Sequence, residues 1–122
     1  MKANTRISIA YVAGCLINRK AFSSVADHSD STTVKMNGTF SCNNIDVQID
    51  DGDSRIIGLS KENEVSFFHS VENSAIRMKI EGTNFKGNDG GTGKDFMGSV
   101  SGKAVKIYDY GSYQNFFFAL GE

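Results

Sequence analysis

The sequence contains no proline, only two cysteines and almost no net charge. Its 13 basic and 14 acidic side chains give a formal charge of -1 over 122 residues. A chain so balanced lacks the basic surface that binds nucleic acid. Cys15 and Cys42 are too few for a disulfide framework and do not have the spacing of a metal knuckle. We therefore expect two buried or half-buried thiols, a reducing compartment and a cytoplasmic protein.

Long apolar runs are also missing, which argues against a membrane partner. The run from Ile7 to Gly14 has about eight residues, near the lower limit for the core of a signal peptide. The four residues that end at Cys15 resemble a bacterial lipoprotein cleavage site, so a lipoprotein processed at Cys15 is the alternative localisation. Alternate residues in this run are apolar: Ile7, Ile9, Tyr11 and Ala13. This alternation predicts an N-terminal strand, with a helix between Ala10 and Ala26 as the alternative.

Signatures of nucleotide binding, covalent catalysis and metal binding are equally scarce. The glycine-rich stretch 90–94 lacks the first glycine of a phosphate-binding loop, and Asp95 follows its lysine. Neither histidine, His28 or His69, has a spacing that specifies a catalytic triad or a zinc site. Two acidic clusters lack the spacing of a calcium loop: Asp50, Asp51 and Asp53, and Asn88, Asp89 and Asp95. We predict no cofactor and no metal.

The sequence does contain a repeat of 20 residues through its last eighty positions. Equivalent residues form columns such as Ile45, Val65, Phe85 and Val105, and Ile56, Ile76, Phe96 and Phe116. A fixed period indicates one supersecondary unit copied several times. The units cover about 41–60, 61–80, 81–100 and 101–120. A degenerate first unit covers 15–40, so residues 1–122 are predicted to form a single domain.

Within each unit apolar residues alternate with polar ones, which is the period of a strand. Each unit supplies two short strands joined by residues rich in Gly, Asp and Asn, so about ten or eleven strands are expected. We predict an all-β fold: an antiparallel up-and-down meander closed as a small barrel or sandwich. The alternative is a parallel β-solenoid with one unit in each rung.

One column, Ile49, His69, Asp89 and Asp109, places three polar residues on the apolar face. If His69, Asp89 and Asp109 converged at one rim, burial would raise the carboxyl pKa values and suit them to acid–base catalysis. Alternatively, each residue caps the turn that follows it by accepting hydrogen bonds from backbone amides. We favour capping. A small barrel enzyme, a hydrolase or isomerase that uses these three residues, is the alternative function.

The outward face carries more large apolar residues than a solvated face needs. The candidates for ligand or partner contact are Phe68, Met97, Tyr108, Tyr110, Tyr113 and Phe117. Several such residues on one sheet face indicate a contact with another protein, because tyrosines in particular give large amphipathic contact area. We predict a non-enzymatic binding module that contacts a second copy of itself or another protein. A small ligand is the other kind of partner considered.

Overall fold

The structure is a computed structural model that describes residues 1–41, 44–49 and 54–122. In this part of the chain one helix, α1 (Ala3–Asn18), precedes ten strands. The strands are β1 (Ser24–Asp27), β2 (Thr32–Ser41), β3 (Asn44–Ile49), β4 (Arg55–Lys61), β5 (Glu64–His69), β6 (Ser74–Glu81), β7 (Asn84–Asp89), β8 (Lys94–Ser101), β9 (Ala104–Asp109) and β10 (Gln114–Gly121).

The ten strands form a closed antiparallel barrel. Each strand pairs with the next along the chain, and β1 also pairs with β10, with Val25 opposite Leu120. Closure leaves no free sheet edge. The predicted all-β meander closed as a barrel is therefore confirmed. The solenoid alternative is wrong, because every described strand pair is antiparallel rather than parallel.

The apolar columns of the repeat point into the barrel. Side chains alternate between the two faces along each strand, so in β5 Val65, Phe67 and His69 are buried while their neighbours face outward. In β3, β5, β7 and β9 the first inward-facing residue is buried. These residues are Ile45, Val65, Phe85 and Val105. The two-residue period thus creates one continuous inner face.

Helix α1 lies inside the barrel, and the predicted N-terminal strand is wrong. Its middle residues Ile9, Val12 and Ala13 have no exposed surface, and it contacts β1, β6, β8, β9 and β10. A helix enclosed on all sides has no polar face, so its sequence lacks the 3.6-residue period of a surface helix. The alternation of Ile7, Ile9, Tyr11 and Ala13 is a consequence of a segment that is apolar almost throughout.

The size of α1 matches the space that it fills. Sixteen residues span about 24 Å, similar to strands of six to eight residues. Gly14 packs so closely against Leu120 that a Cβ atom would overlap the leucine side chain. Ala10 and Ala13 also keep the helix narrow. Among the described residues, no helix is both long enough and apolar enough to cross a membrane.

The two ends of the barrel have different turns. At the end that we call the long-turn rim, turns of four residues follow β1, β5, β7 and β9, at 28–31, 70–73, 90–93 and 110–113. At the opposite end, the short-turn rim, two-residue turns occupy 62–63, 82–83 and 102–103. Helix α1 begins at the long-turn rim and ends at the short-turn rim, where Asn18 Nδ2 donates to Gly102 O (2.9 Å).

Candidate functional site

The polar column of the repeat lies at the long-turn rim. His69, Asp89 and Asp109 are the last residues of β5, β7 and β9, and at most 1% of each is exposed. Asp27, at the end of β1, occupies the equivalent position and is equally buried. All four side chains face inward, because they continue the buried positions of their strands. The predicted placement on the apolar face is therefore observed.

Each of the two repeat carboxylates accepts hydrogen bonds from its own turn. Asp89 Oδ1 accepts from Gly91 N (2.9 Å) and Oδ2 from Thr92 Oγ1 (3.3 Å). Asp109 repeats this arrangement with Gly111 N (2.8 Å) and Ser112 Oγ (3.2 Å). A buried carboxylate held in this way orders the turn that follows it, since it satisfies a backbone amide that the sheet leaves unpaired.

His69 and Asp27 are variations on the same arrangement. His69 Nδ1 accepts from Glu72 N (3.1 Å), and Asp27 Oδ1 accepts from Ser29 N (2.9 Å). The other carboxylate oxygen of Asp27 is buried without a hydrogen-bond partner among the described residues. The reason is the residue three positions after the carboxylate. In the later turns this residue is Thr92 or Ser112, whose hydroxyl donates a hydrogen bond to the carboxylate, whereas in the first turn it is Asp30, which has no hydroxyl.

These contacts give the turn-capping interpretation a physical basis and give the enzyme alternative no support. His69, Asp89 and Asp109 contribute to three separate turns, and each is engaged by the backbone of its own turn. The hydrolase or isomerase stays a prediction. Of the acidic clusters, Asp50, Asp51 and Asp53 lie outside the described residues, and Asn88 Nδ2 donates to Asp95 Oδ1 (3.0 Å). Across the ranges that the structure covers, no three His, Cys, Asp or Glu residues are grouped to hold a metal ion.

The long-turn rim also holds the start of α1. The amino nitrogen of Met1 lies 3.2 Å from Asp109 Oδ2, and Asn4 Nδ2 donates to Glu72 Oε1 (3.2 Å). The Arg6 guanidinium lies 3.8 Å from the centre of the Phe116 ring, an attractive cation–π contact. The inner space that a barrel of ten strands leaves open is thus occupied by the helix at this end.

No known protein family, curated protein or solved structure matches this chain. Its candidate sites are therefore defined by their own geometry.

The outer patch is a cluster of large side chains on β8, β9, β10 and the turn after β9, formed by Met97, Tyr108, Tyr110 and Phe117. Met97 is directly opposite Tyr108, and Tyr110 Oη lies 3.0 Å from the Met97 sulfur. The Tyr108 and Tyr110 rings meet edge to face, with centroids 4.9 Å apart. Phe117, half exposed, is diagonal to Tyr108 across the β9–β10 pair.

The remaining predicted contact residues lie apart from this patch. Phe68 is on β5, opposite Ile57 of β4, and Tyr113 ends the turn between β9 and β10. Ile57 is 49% exposed, which matches Phe117 at 50%. The six residues predicted for partner contact are all on the outer surface, but only four of them form one cluster.

An outer groove of about 780 Å³ crosses β5, β6, β7 and β8 beside this patch. Its lining includes Arg77, Lys79, Lys86, Asn88, Met97 and Tyr110. This groove was not predicted from the sequence. One feature of the repeat does indicate it. Arg77 is equivalent to Ile57, Met97 and Phe117, so in this outward column only the unit 61–80 has a cation in place of an apolar residue.

The interior near the C-terminal half of α1 contains one thiol. Cys15 is buried, as predicted, and its Sγ accepts a hydrogen bond from Phe22 N (3.5 Å). Burial raises the pKa of the Cys15 thiol to about 11, so it is un-ionised at neutral pH. Burial also raises the pKa of Tyr11, whose Oη donates to Phe22 O (2.6 Å). Both groups hold Phe22, in the connection between α1 and β1, against the helix. Cys42 lies outside the described residues.

Proposed function

We propose that the protein is a non-catalytic interaction module that contacts a protein partner, first of all a second copy of itself, through the outer patch. The observation that carries this proposal is the outer patch itself, a contiguous cluster of large, partly exposed side chains. Tyr110 touches both Met97 and Tyr108, so the cluster is ordered before it meets a partner. Binding to an ordered surface loses less side-chain entropy, which favours association.

The filled interior supports the same proposal. Barrels with an open interior place a small ligand inside the strands or at the mouth. In this barrel α1 occupies that space, and Ile9, Ala10 and Val12 have no exposed surface. The outer surface is therefore where we expect a partner to bind.

Light scattering over a range of protein concentrations tests self-association. We expect the wild-type chain to reach twice the 13.3 kDa mass of one chain, and Phe117→Lys to remain at 13.3 kDa. The new lysine would place a charge within an apolar contact. Ile57→Lys is the matched control, because Ile57 is exposed to the same extent but lies outside the patch. Identical single-chain masses for wild type and Phe117→Lys would remove the proposal of a self-contact.

We also propose that the folded protein retains α1 and functions in a reducing compartment such as the cytoplasm. A free thiol inside the barrel suits such a compartment. Lipoprotein processing at Cys15 would remove most of the helix that fills the barrel and would expose a side chain that is 1% accessible. Mass spectrometry of the native protein tests this directly: the loss of residues 1–14 with a lipid on Cys15 would establish the alternative.

A further inference from the structure

The outer groove carries three cations, two of which have no ion-pair partner among the described residues. Lys79 of β6 is directly opposite Lys86 of β7, and like charges in this position destabilise a sheet. Arg77 is two residues from Lys79 on the same face, so it is a near neighbour of both lysines. Among the described residues, no carboxylate lies within 4.0 Å of Arg77 or Lys86, and Lys79 reaches only Glu81 at 3.9 Å.

The surroundings of these cations restrict which anion fits. Glu64 is opposite Lys79 on one side, and Asp95 is opposite Asn88 on the other. A long polyanion such as a nucleic acid would have to pass one of these carboxylates. A second copy of this chain placed symmetrically over the groove would bring cation against cation. A short segment with one or two negative charges meets neither obstacle.

The wall of the groove on the β8 side is apolar. Met97 and Tyr110 are in contact there, with 47% and 43% of their surfaces exposed. From β5 to the end of β9 the sheet is about 19 Å wide, which an extended peptide of about six residues spans. The cations and this wall together complement a segment in which acidic residues are next to an apolar one.

We infer that the outer groove binds an extended acidic peptide segment of a partner protein. Its carboxylates contact Arg77 and Lys86, and an adjacent apolar side chain packs on Met97 and Tyr110. Arginine forms bidentate hydrogen bonds with carboxylates, so Arg77 orients the segment while the lysines add positive charge. This inference rests on the proposal that the protein is an interaction module, and it names the class of partner.

Calorimetry with the full chain and a synthetic capped hexapeptide tests the inference. The peptide has two adjacent glutamates flanked by phenylalanine and leucine, and a control peptide has glutamines in their place. We expect binding of the glutamate peptide in low salt, at least tenfold weaker binding of the glutamine peptide, and a decrease in affinity as salt is raised. Lys86→Gln should weaken the binding of the glutamate peptide about tenfold.

The matched control is Lys35→Gln, which removes an exposed lysine of β2 outside the groove. It should bind the peptide as the wild type does. Lys86→Gln should also unfold at the wild-type temperature or a few degrees above it, because it removes a like-charge pair, so weaker binding would not reflect misfolding. Equal affinity for the two peptides, or an unchanged affinity in Lys86→Gln, would overturn the inference. So would tighter binding to a single-stranded oligonucleotide or to phosphatidylserine vesicles.

The self-contact and the acidic segment can fail separately. If the wild type stays monomeric but binds the glutamate peptide, the self-contact is wrong and the groove is supported. Because Met97 and Tyr110 belong to both surfaces, the second case is tested on the Phe117→Lys monomer: if the wild type dimerises through Phe117 and neither peptide binds this monomer, the groove is wrong and the interaction module stands.

Discussion

The two rims of the barrel reverse the chain in different ways. At the long-turn rim the last inward residue of each strand accepts hydrogen bonds from the next turn, as Asp89 and Asp109 do. At the short-turn rim the reversal takes two residues and depends on the backbone alone: Glu62, Gly82 and Gly102 have φ values of 58°, 63° and 58°. A positive φ at the first of two turn residues is the type II′ geometry that suits a twisted hairpin.

Among the described residues, the buried acidic side chains and His69 lie at one end of the barrel, and that is the end where α1 begins. A helix carries partial positive charge at its N-terminus, and the first turn of α1 contains no acidic residue. Asp27, Asp89 and Asp109 lie at this rim, so the barrel supplies the negative charge that the helix lacks. The long turns thus combine two roles, capping of the turn and electrostatic complementarity to the helix.

The largest expected effect is the loss of a long-turn carboxylate. Asp89→Ala removes the acceptor for Gly91 N and Thr92 Oγ1 and should lower the free energy of unfolding by about 2–3 kcal/mol. Urea unfolding measures this. Asp95→Ala is the control, because Asp95 is exposed and accepts from the half-buried Asn88; we expect a change within about 0.5 kcal/mol. Equal losses in the two variants would mean that burial does not distinguish these carboxylates.

A smaller gain is expected where a long turn is incomplete. Asp30→Ser would introduce a hydroxyl at the position from which Thr92 and Ser112 donate in the later turns. It would satisfy the buried oxygen of Asp27 and raise the free energy of unfolding by about 1 kcal/mol. Ser112→Ala, which removes the corresponding bond to Asp109, should lower it by about the same amount. If Asp30→Ser is neutral while Ser112→Ala destabilises, the first turn does not follow the geometry of the later ones.

The smallest effect is expected at the short-turn rim. Glu62 has a positive φ where the equivalent turns have Gly82 and Gly102. Glu62→Gly should therefore raise the free energy of unfolding by about 0.5–1 kcal/mol, since only glycine adopts this conformation without strain. Thermal unfolding should show an increase of a few degrees. The reverse change, Gly82→Glu, should give a decrease of similar size, and no change in either variant would contradict the strain argument.

Much of the barrel followed from the sequence, because its determinants are local. The alternation of apolar and polar residues within each unit predicted strands, and the Gly-, Asp- and Asn-rich residues between them form turns, as at 90–93 and 110–113. The burial of His69, Asp89 and Asp109 also followed from the register, since a two-residue period leaves no choice of face. What the hydrogen bonds added is that each of these residues serves its own turn.

The outer groove did not follow from the sequence, for a geometric reason. Arg77 and Lys86 are nine residues apart, and their proximity depends on the register of β6 and β7. The column of outward residues identified Met97 and Phe117 but could not show that Tyr110 would reach the Met97 sulfur, because Tyr110 lies beyond the end of β9.

The sequence by itself determined the strands and the chemistry of the turns and favoured an antiparallel order along the chain, because each depends on neighbours a few residues apart. Only the tertiary structure decided the conformation of residues 3–18. Their β-branched and aromatic content disfavours a helix, and their apolar character has no helical period. Inside a ring of ten strands, however, every backbone polar group of this segment must find its partner within the segment itself. A helix is the conformation that meets this requirement, and it also fills a space that the strand side chains alone leave open.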